Sequence, residues 1–138
     1  MNKLKWLIFS VLCICIAPLP VVAGDFDGSK QLLCAFIEGF ECSLDEGECL
    51  ELEAEDMNVP EFIKINFKEK KITGTRENKE LATTKIEKMV RMGGNLILQG
   101  VENGRAWSMV ITGATGKMAL TISGDQVGFV IFGACIPQ

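Results

Sequence analysis

From Leu32 onward, apolar and polar residues alternate with a period of two, the pattern of strands that bury one face. Leu32, Cys34, Phe36, Phe40 and Cys42 share one face in this reading, with Glu38 as the exception. Cys49 to Ala54 alternates again, Leu50 and Leu52 opposing Glu51 and Glu53. Asn58 and Pro60 interrupt the pattern. Ile63, Ile65 and Phe67 then alternate with Lys64, Asn66 and Lys68, the cleanest half-buried strand in the chain. KEKK at 68–71 predicts a charged turn with Ile72–Thr75 returning from it, and TRENKEL at 75–81 predicts a polar loop. Ile86–Met92 also suits two turns of helix, because Ile86, Met89 and Val90 fall at helical spacing. GGN at 93–95, which turns the chain directly into Leu96–Val101, favours a strand there.

The last third is punctuated more sharply. Asn103-Gly104, within ENGR at 102–105, takes the two central positions of a tight type I′ hairpin, where both residues need positive φ. Ala106–Ile111, Met118–Ser123 and Val127–Ala134 follow, separated by TGATG at 112–116 and by Gly124-Asp125. The final strand is apolar on both faces, which predicts burial on both sides. The fold class is therefore all-β, an up-and-down meander of eight or nine short strands joined by tight turns. A closed small barrel is favoured over a sandwich, because an open meander of this length leaves two exposed edges.

The N-terminus changes the picture of where this happens. Lys3 and Lys5 precede an apolar stretch from Trp6 to Ala17, and Val21 and Ala23 stand as small residues before a cut. That is the order of a secretory signal peptide spanning 1–23; the alternative, an uncleaved anchor, would need a spanning helix of about 20 apolar residues. Cys13 and Cys15 lie inside this stretch, and neither has the flanking residues of a lipoprotein acceptor. Residues 24–138 then form a single β domain, expected in the periplasm or outside the cell. Without Lys3 and Lys5, 12 of the 14 basic residues remain against 18 acidic ones, a net charge of −6. Nucleic acid and anionic membrane surfaces are poor partners for such a chain, and no membrane span is expected after cleavage.

Four cysteines are left, Cys34, Cys42, Cys49 and Cys135, and four allow three pairings. Their gaps do not suit a metal site, and an exported chain reads an even count as disulfides. A hairpin whose loop is Leu44-Asp45-Glu46-Gly47 sets Cys42 opposite Cys49, with Gly47 as the left-handed residue of the loop. Directly opposed residues lie within disulfide reach. Cys34 in the first strand and Cys135 after the last then pair and join the ends of the meander.

Candidate chemistry is sparse. The chain has no histidine and no tyrosine, which excludes Ser-His and Cys-His nucleophiles and histidine-ligated metal or haem. GATGK at 113–117 lacks the first glycine and the final Ser or Thr of a phosphate-binding loop and reads as a hairpin turn. Asp25 and Asp27 in GDFDGSK (24–30) begin like a calcium loop but lack its later ligands, so a mobile polar segment is expected. Nine carboxylates crowd Glu38 to Asp56, again without calcium order. Asp45, Glu46, Glu48, Glu51, Glu53 and Glu55 form the candidate partner face, to be weighed against an ordinary solvated face. Lys64, Lys68, Lys70 and Lys71 make an opposite, basic pole. Trp107, on one face with Met109 and Ile111, and the scattered Met57, Met89, Met92, Met109 and Met118 read as core.

The run from LLCAFIEGFEC through NVPEFIKINFKEKKI to VGFVIFGAC resembles small exported bacterial proteins of uncharacterised function. The expected architecture is also similar to the small disulfide-stapled barrels that inhibit c-type lysozyme in the periplasm. That likeness is at the level of fold, and no stretch here matches the inhibitory loop of that family. The resulting expectation is an exported, non-enzymatic binding protein with no cofactor, engaging a cationic partner protein through its acidic face. A carrier of a small apolar ligand in the barrel interior is the alternative, although Phe67, Trp107 and Phe129 are expected to fill that interior. A glycan hydrolase would need two carboxyl groups facing each other across a cleft.

Overall fold

Ten strands form in chain order: β1 (Leu32–Ser43), β2 (Cys49–Leu52), β3 (Phe62–Asn66), β4 (Lys71–Arg76), β5 (Lys79–Lys85), β6 (Lys88–Met92), β7 (Asn95–Glu102), β8 (Arg105–Thr112), β9 (Lys117–Ser123) and β10 (Val127–Pro137). The computed structural model describes residues 24–45, 47–53, 56, 59–76 and 79–138, with only the main chain of 79 and 80. The expected signal peptide at 1–23, together with Glu46, Glu55, Met57 and Asn58, lies outside the described residues. Among the described residues there is no helix.

Nine strands make one antiparallel path, in the order β5-β4-β3-β1-β10-β9-β8-β7-β6, with β2 paired to β1 beside it. The sheet curls into a half-barrel. The first and last strands meet as expected: β1 and β10 pair from Leu32–Pro137 to Ser43–Val127. The free ends of the path fall mid-chain, at β5 and β6. The link between them crosses from one edge to the other, with Ile86 N–H donating to the Lys70 carbonyl and Glu87 N–H to the Gln99 carbonyl. The Ile86 side chain is buried below the seam.

The turns form where backbone chemistry allows them. Asn103 and Gly104 both have positive φ, as a type I′ hairpin requires, and Gly47 has φ +71° in the β1–β2 loop. GATGK is the β8–β9 turn, closed by Gly116 N–H on the Thr112 carbonyl at 2.8 Å. Both disulfides have the expected partners, Cys34 with Cys135 and Cys42 with Cys49. Cys34 and Cys135 lie in the core, and Cys42–Cys49 ties β2, a strand of only four residues, to β1.

Four expectations are corrected. TRENKEL is not simply a loop: β4 runs to Arg76 and β5 begins at Lys79. The polar segment 24–30 is tied down rather than mobile. Phe26 packs on the core, Lys30 pairs with Asp25 at 2.6 Å, and the Arg91 guanidinium donates to the Asp27 carbonyl. Met109 and Met118 are core, whereas Met89 and Met92 are exposed. β10 buries only one face: Ile131, Gly133 and Cys135 point inward, while Phe132 and Ile136 are exposed.

The fifth difference lies in β1. Phe36 pairs with Gly133 and Glu38 with Phe132, so Ile37 is an extra residue in a β-bulge. It sits where the neighbour of β1 changes, β3 pairing residues 32–35 and β2 pairing residues 39–42. Beyond the bulge the alternation is inverted. Gly39 is buried, and Glu38, Phe40 and Cys42 turn to the outer face. Glu38 therefore breaks the single-face pattern because the chain itself changes phase there.

Candidate functional site

The inner face of the half-barrel divides into two levels. The lower level is packed solid by Leu32, Cys34, Ile65, Leu96, Leu98, Ile111 and Ile131, with Phe67 and Met118 beside them. Burying such side chains is the main stabilising term of the fold, at about 1.5–3 kcal/mol for each large aliphatic residue.

The upper level is open. Phe36, Ile63, Ile72, Trp107, Leu120 and Ile122 wall a cleft of about 610 Å³, with Met109 at its base and Val59 and Pro60 across its upper side. Its polar lining lies mainly at the mouth, where the β7–β8 hairpin brings Glu102, Asn103 and Arg105. Thus Phe67 fills the lower level and Trp107 is buried as expected, but Trp107 forms a wall of the upper level, which the bulky residues leave open. Phe129 is partly buried against the core beneath the Arg105 guanidinium, whose central carbon is 5.9 Å from the ring centroid.

Small residues make the space. β5 presents Ala82 and Thr84 to the cleft, and β4 presents Gly74, against which Pro60 packs. Gly100 on β7 lies directly opposite Trp107, and a Cβ there would come within 2.5 Å of the indole and 2.6 Å of the Lys85 carbonyl. The indole therefore lies over Gly100 and reaches the opposite edge of the sheet. Its N–H donates to the Thr84 hydroxyl at 3.2 Å. This side-chain bond spans the seam between β5 and β7 where no strand ladder does. On the far side Arg76 donates to the Val59 carbonyl at 2.6 Å, fixing the segment that overhangs the cleft.

The sequence-predicted acidic face has a different character. Asp45 and Glu48 are exposed in the β1–β2 turn, Glu51 is exposed on β2, and Glu53 is exposed just beyond it. None of these four pairs with a cation of the chain among the described residues. No group of three or more potential metal ligands occurs among the described residues. Glu51 stands opposite Phe40, and Glu38 stands opposite Phe132. The sequence pattern had placed Phe40 inside, so the aromatic centre of this face was not foreseen.

The chain matches no protein-family model, and no curated protein sequence or solved structure is similar to it. Its chemistry is therefore read from its own residues. The cleft offers apolar contact on most sides and a carboxylate, an amide and a guanidinium at one rim. Among the described residues lining it, Glu102 is the one carboxylate, whereas acid-base hydrolysis of a glycan uses two across a cleft.

Proposed function

We propose that the protein is an exported, non-enzymatic binding protein that holds one small apolar ligand in the cleft of its half-barrel. The observation that carries this reading is the cleft itself. At about 610 Å³ it falls within the range of small-molecule sites, about 300–1,000 Å³, and it has their composition of apolar walls and a few polar groups at the mouth. Export is supported by the two disulfides, which persist in oxidising compartments, and by the charged-then-apolar N-terminus. The ligand would touch Ala82 and Thr84 on one side of the seam and Trp107 on the other. Closure of the sheet into a complete barrel is the bound state in this proposal.

Trp107 supplies the assay. The chain has two tryptophans, Trp6 and Trp107, so a protein beginning at Gly24 reports from the cleft wall alone. Titration with phenylnaphthylamine, a neutral apolar fluorophore, should give saturable one-to-one energy transfer from Trp107. Ala82→Phe, which fills the cleft from β5, should abolish it. Absence of saturable transfer, or undiminished binding by the Ala82→Phe protein, would refute the proposal.

A further inference from the structure

We infer that the outer face centred on Phe40 and Phe132 is a docking surface for a cationic, amphipathic segment of a partner protein. This site is separate from the cleft, on the opposite side of the sheet.

Three observations carry it. The first is the bulge at Ile37, which turns Phe40 outward and leaves Ile37 itself 65% exposed. Bulges commonly re-aim side chains at functional places. The second is the apolar patch that results. Phe40 and Phe132 are diagonal neighbours across the β1–β10 ladder and meet edge to face, with ring centroids 6.4 Å apart and planes at 77°. Val130 lies opposite Phe40, Ala119 opposite Phe132, and Phe132 remains 42% exposed. An ordinary solvated sheet face alternates apolar-in with polar-out, and this one does not.

The third observation is charge, and it selects the occupant. Glu51 flanks Phe40 and Glu38 faces Phe132 across the ladder, and neither carboxylate forms an ion pair among the described residues. The outward neighbours on β9 are Ala119 and Thr121, neither of them basic. Lys64 and Lys117 share this outer face only at its other end, paired with Leu33 and Ala134. An apolar centre with carboxylates on its flank complements an apolar stripe with lysine or arginine on its flank. It repels an anionic lipid surface. The Cys42–Cys49 bond holds short β2 against β1, so Glu51 is presented on a rigid edge and little ordering is needed on binding.

The test titrates the isotope-labelled, oxidised chain from Gly24 onward, which carries all ten strands and both disulfides, with two synthetic peptides. One is an amphipathic Leu/Lys helix and the other a Leu/Glu helix with the same apolar face. The Leu/Lys peptide should shift amide signals of residues 37–41, 49–52, 118–121 and 129–133. It should bind about tenfold or more weakly when salt rises from about 50 to about 500 mM. Glu38→Lys/Glu51→Lys and Phe132→Ser should each weaken it about tenfold, an effect of about 1.4 kcal/mol. Both glutamates are exposed, so the charge-reversed protein tests the idea even if Phe132→Ser folds poorly. Trp107 emission should not change, which separates this surface from the cleft. The inference is overturned by an absence of shifts at millimolar peptide, by equal response to both peptides, or by shifts confined to the cleft. Sedimentation showing that the chain dimerises through Phe132 would overturn it in favour of a second copy.

Discussion

Replacing Cys34 and Cys135 by alanine removes a bond that joins residues 101 apart in the chain, whereas the Cys42–Cys49 pair closes a separation of 7. In the chain-entropy relation, the constraint on the unfolded state grows with the logarithm of loop length. It gives about 4.7 kcal/mol for the long loop and about 2.5 kcal/mol for the short one at 25 °C. The long bond is also buried, Cys34 at 0% and Cys135 at 3% exposure, with Ile63 directly opposite Cys34, so its removal costs core packing as well. The Cys42–Cys49 bond lies on the outer face and loses little packing. Cys34→Ala/Cys135→Ala should therefore be the more damaging change by about 2 kcal/mol or more, a large share of a total stability of about 5–15 kcal/mol. Urea unfolding followed by Trp107 emission measures both, since that side chain is only 8% exposed in the fold. With slopes of about 1–3 kcal/mol/M, the two midpoints should differ by about 1–2 M. Equal losses, or a greater loss from Cys42→Ala/Cys49→Ala, would refute the view that the long bond is the main staple between β1 and β10 and the short one only secures β2.

Three further outcomes follow from the geometry. Gly100→Ala sets a methyl group against the indole and the Lys85 carbonyl, so it should destabilise by about 1–3 kcal/mol and shift Trp107 emission to the red. Unchanged emission would mean that the seam is not held by Trp107. Hydrogen bonds from Ser29, aided by the Arg91 charge, hold the Asp27 carboxyl below its ordinary value. Its contribution is thus complete above the ordinary carboxylate range and is lost as pH falls through the lowered value. Slow exchange of the Ser29 amide should vanish in that acid window, and Asp27→Asn should remove the pH dependence. Deletion of Ile37 removes the extra residue and leaves Glu38 opposite Phe132 in an unbroken ladder, so Gly39 should stay inside and Phe40 outside. Urea unfolding should show a loss of no more than about 3 kcal/mol, and the ring contact between Phe40 and Phe132 should persist in nuclear Overhauser spectra. Loss of that contact would mean that the outward phase of Phe40 depends on the bulge geometry itself.

The hairpins were legible because their turns need particular residues: Asn103-Gly104, Gly93-Gly94 and Gly47 all have positive φ. Pairing of the cysteines followed from the same hairpin arithmetic. β5 was not legible, and neither was the cleft, for one physical reason. The inward positions of KELATTK are Ala82 and Thr84, which are too small to register as an apolar face. They are small because they border empty space rather than a packed core. Periodicity detects what is filled, so a strand facing a cavity reads as a loop. β10 misled in the opposite direction: its outer Phe132 and Ile136 read as buried because apolar character alone carries no information about what covers it.

The bulge connects the inside of this molecule to its outside. Had β1 kept a single phase, Glu38 would project into the interior opposite the inward side of β10, among residues that offer it no partner. The extra residue places Gly39 there instead, between Ile131 and Leu52, and no charged side chain is buried among the described residues. The same step fixes Phe40 on the outside, beside Phe132. Full burial of either ring is worth about 1.5–3 kcal/mol, and that stabilisation is only partly realised where they stand. A polar residue at 40 or 132 would suit a solvated sheet face better and would leave the interior unchanged. Folding alone therefore accounts for Gly39 and for the position of the bulge, but not for the two phenylalanines it exposes. Their presence there is the reason to look for a partner on that face, and Phe132→Ser separates the two demands. It should leave the unfolding free energy within the small range of surface substitutions, about 0.5 kcal/mol, while weakening the Leu/Lys peptide about tenfold.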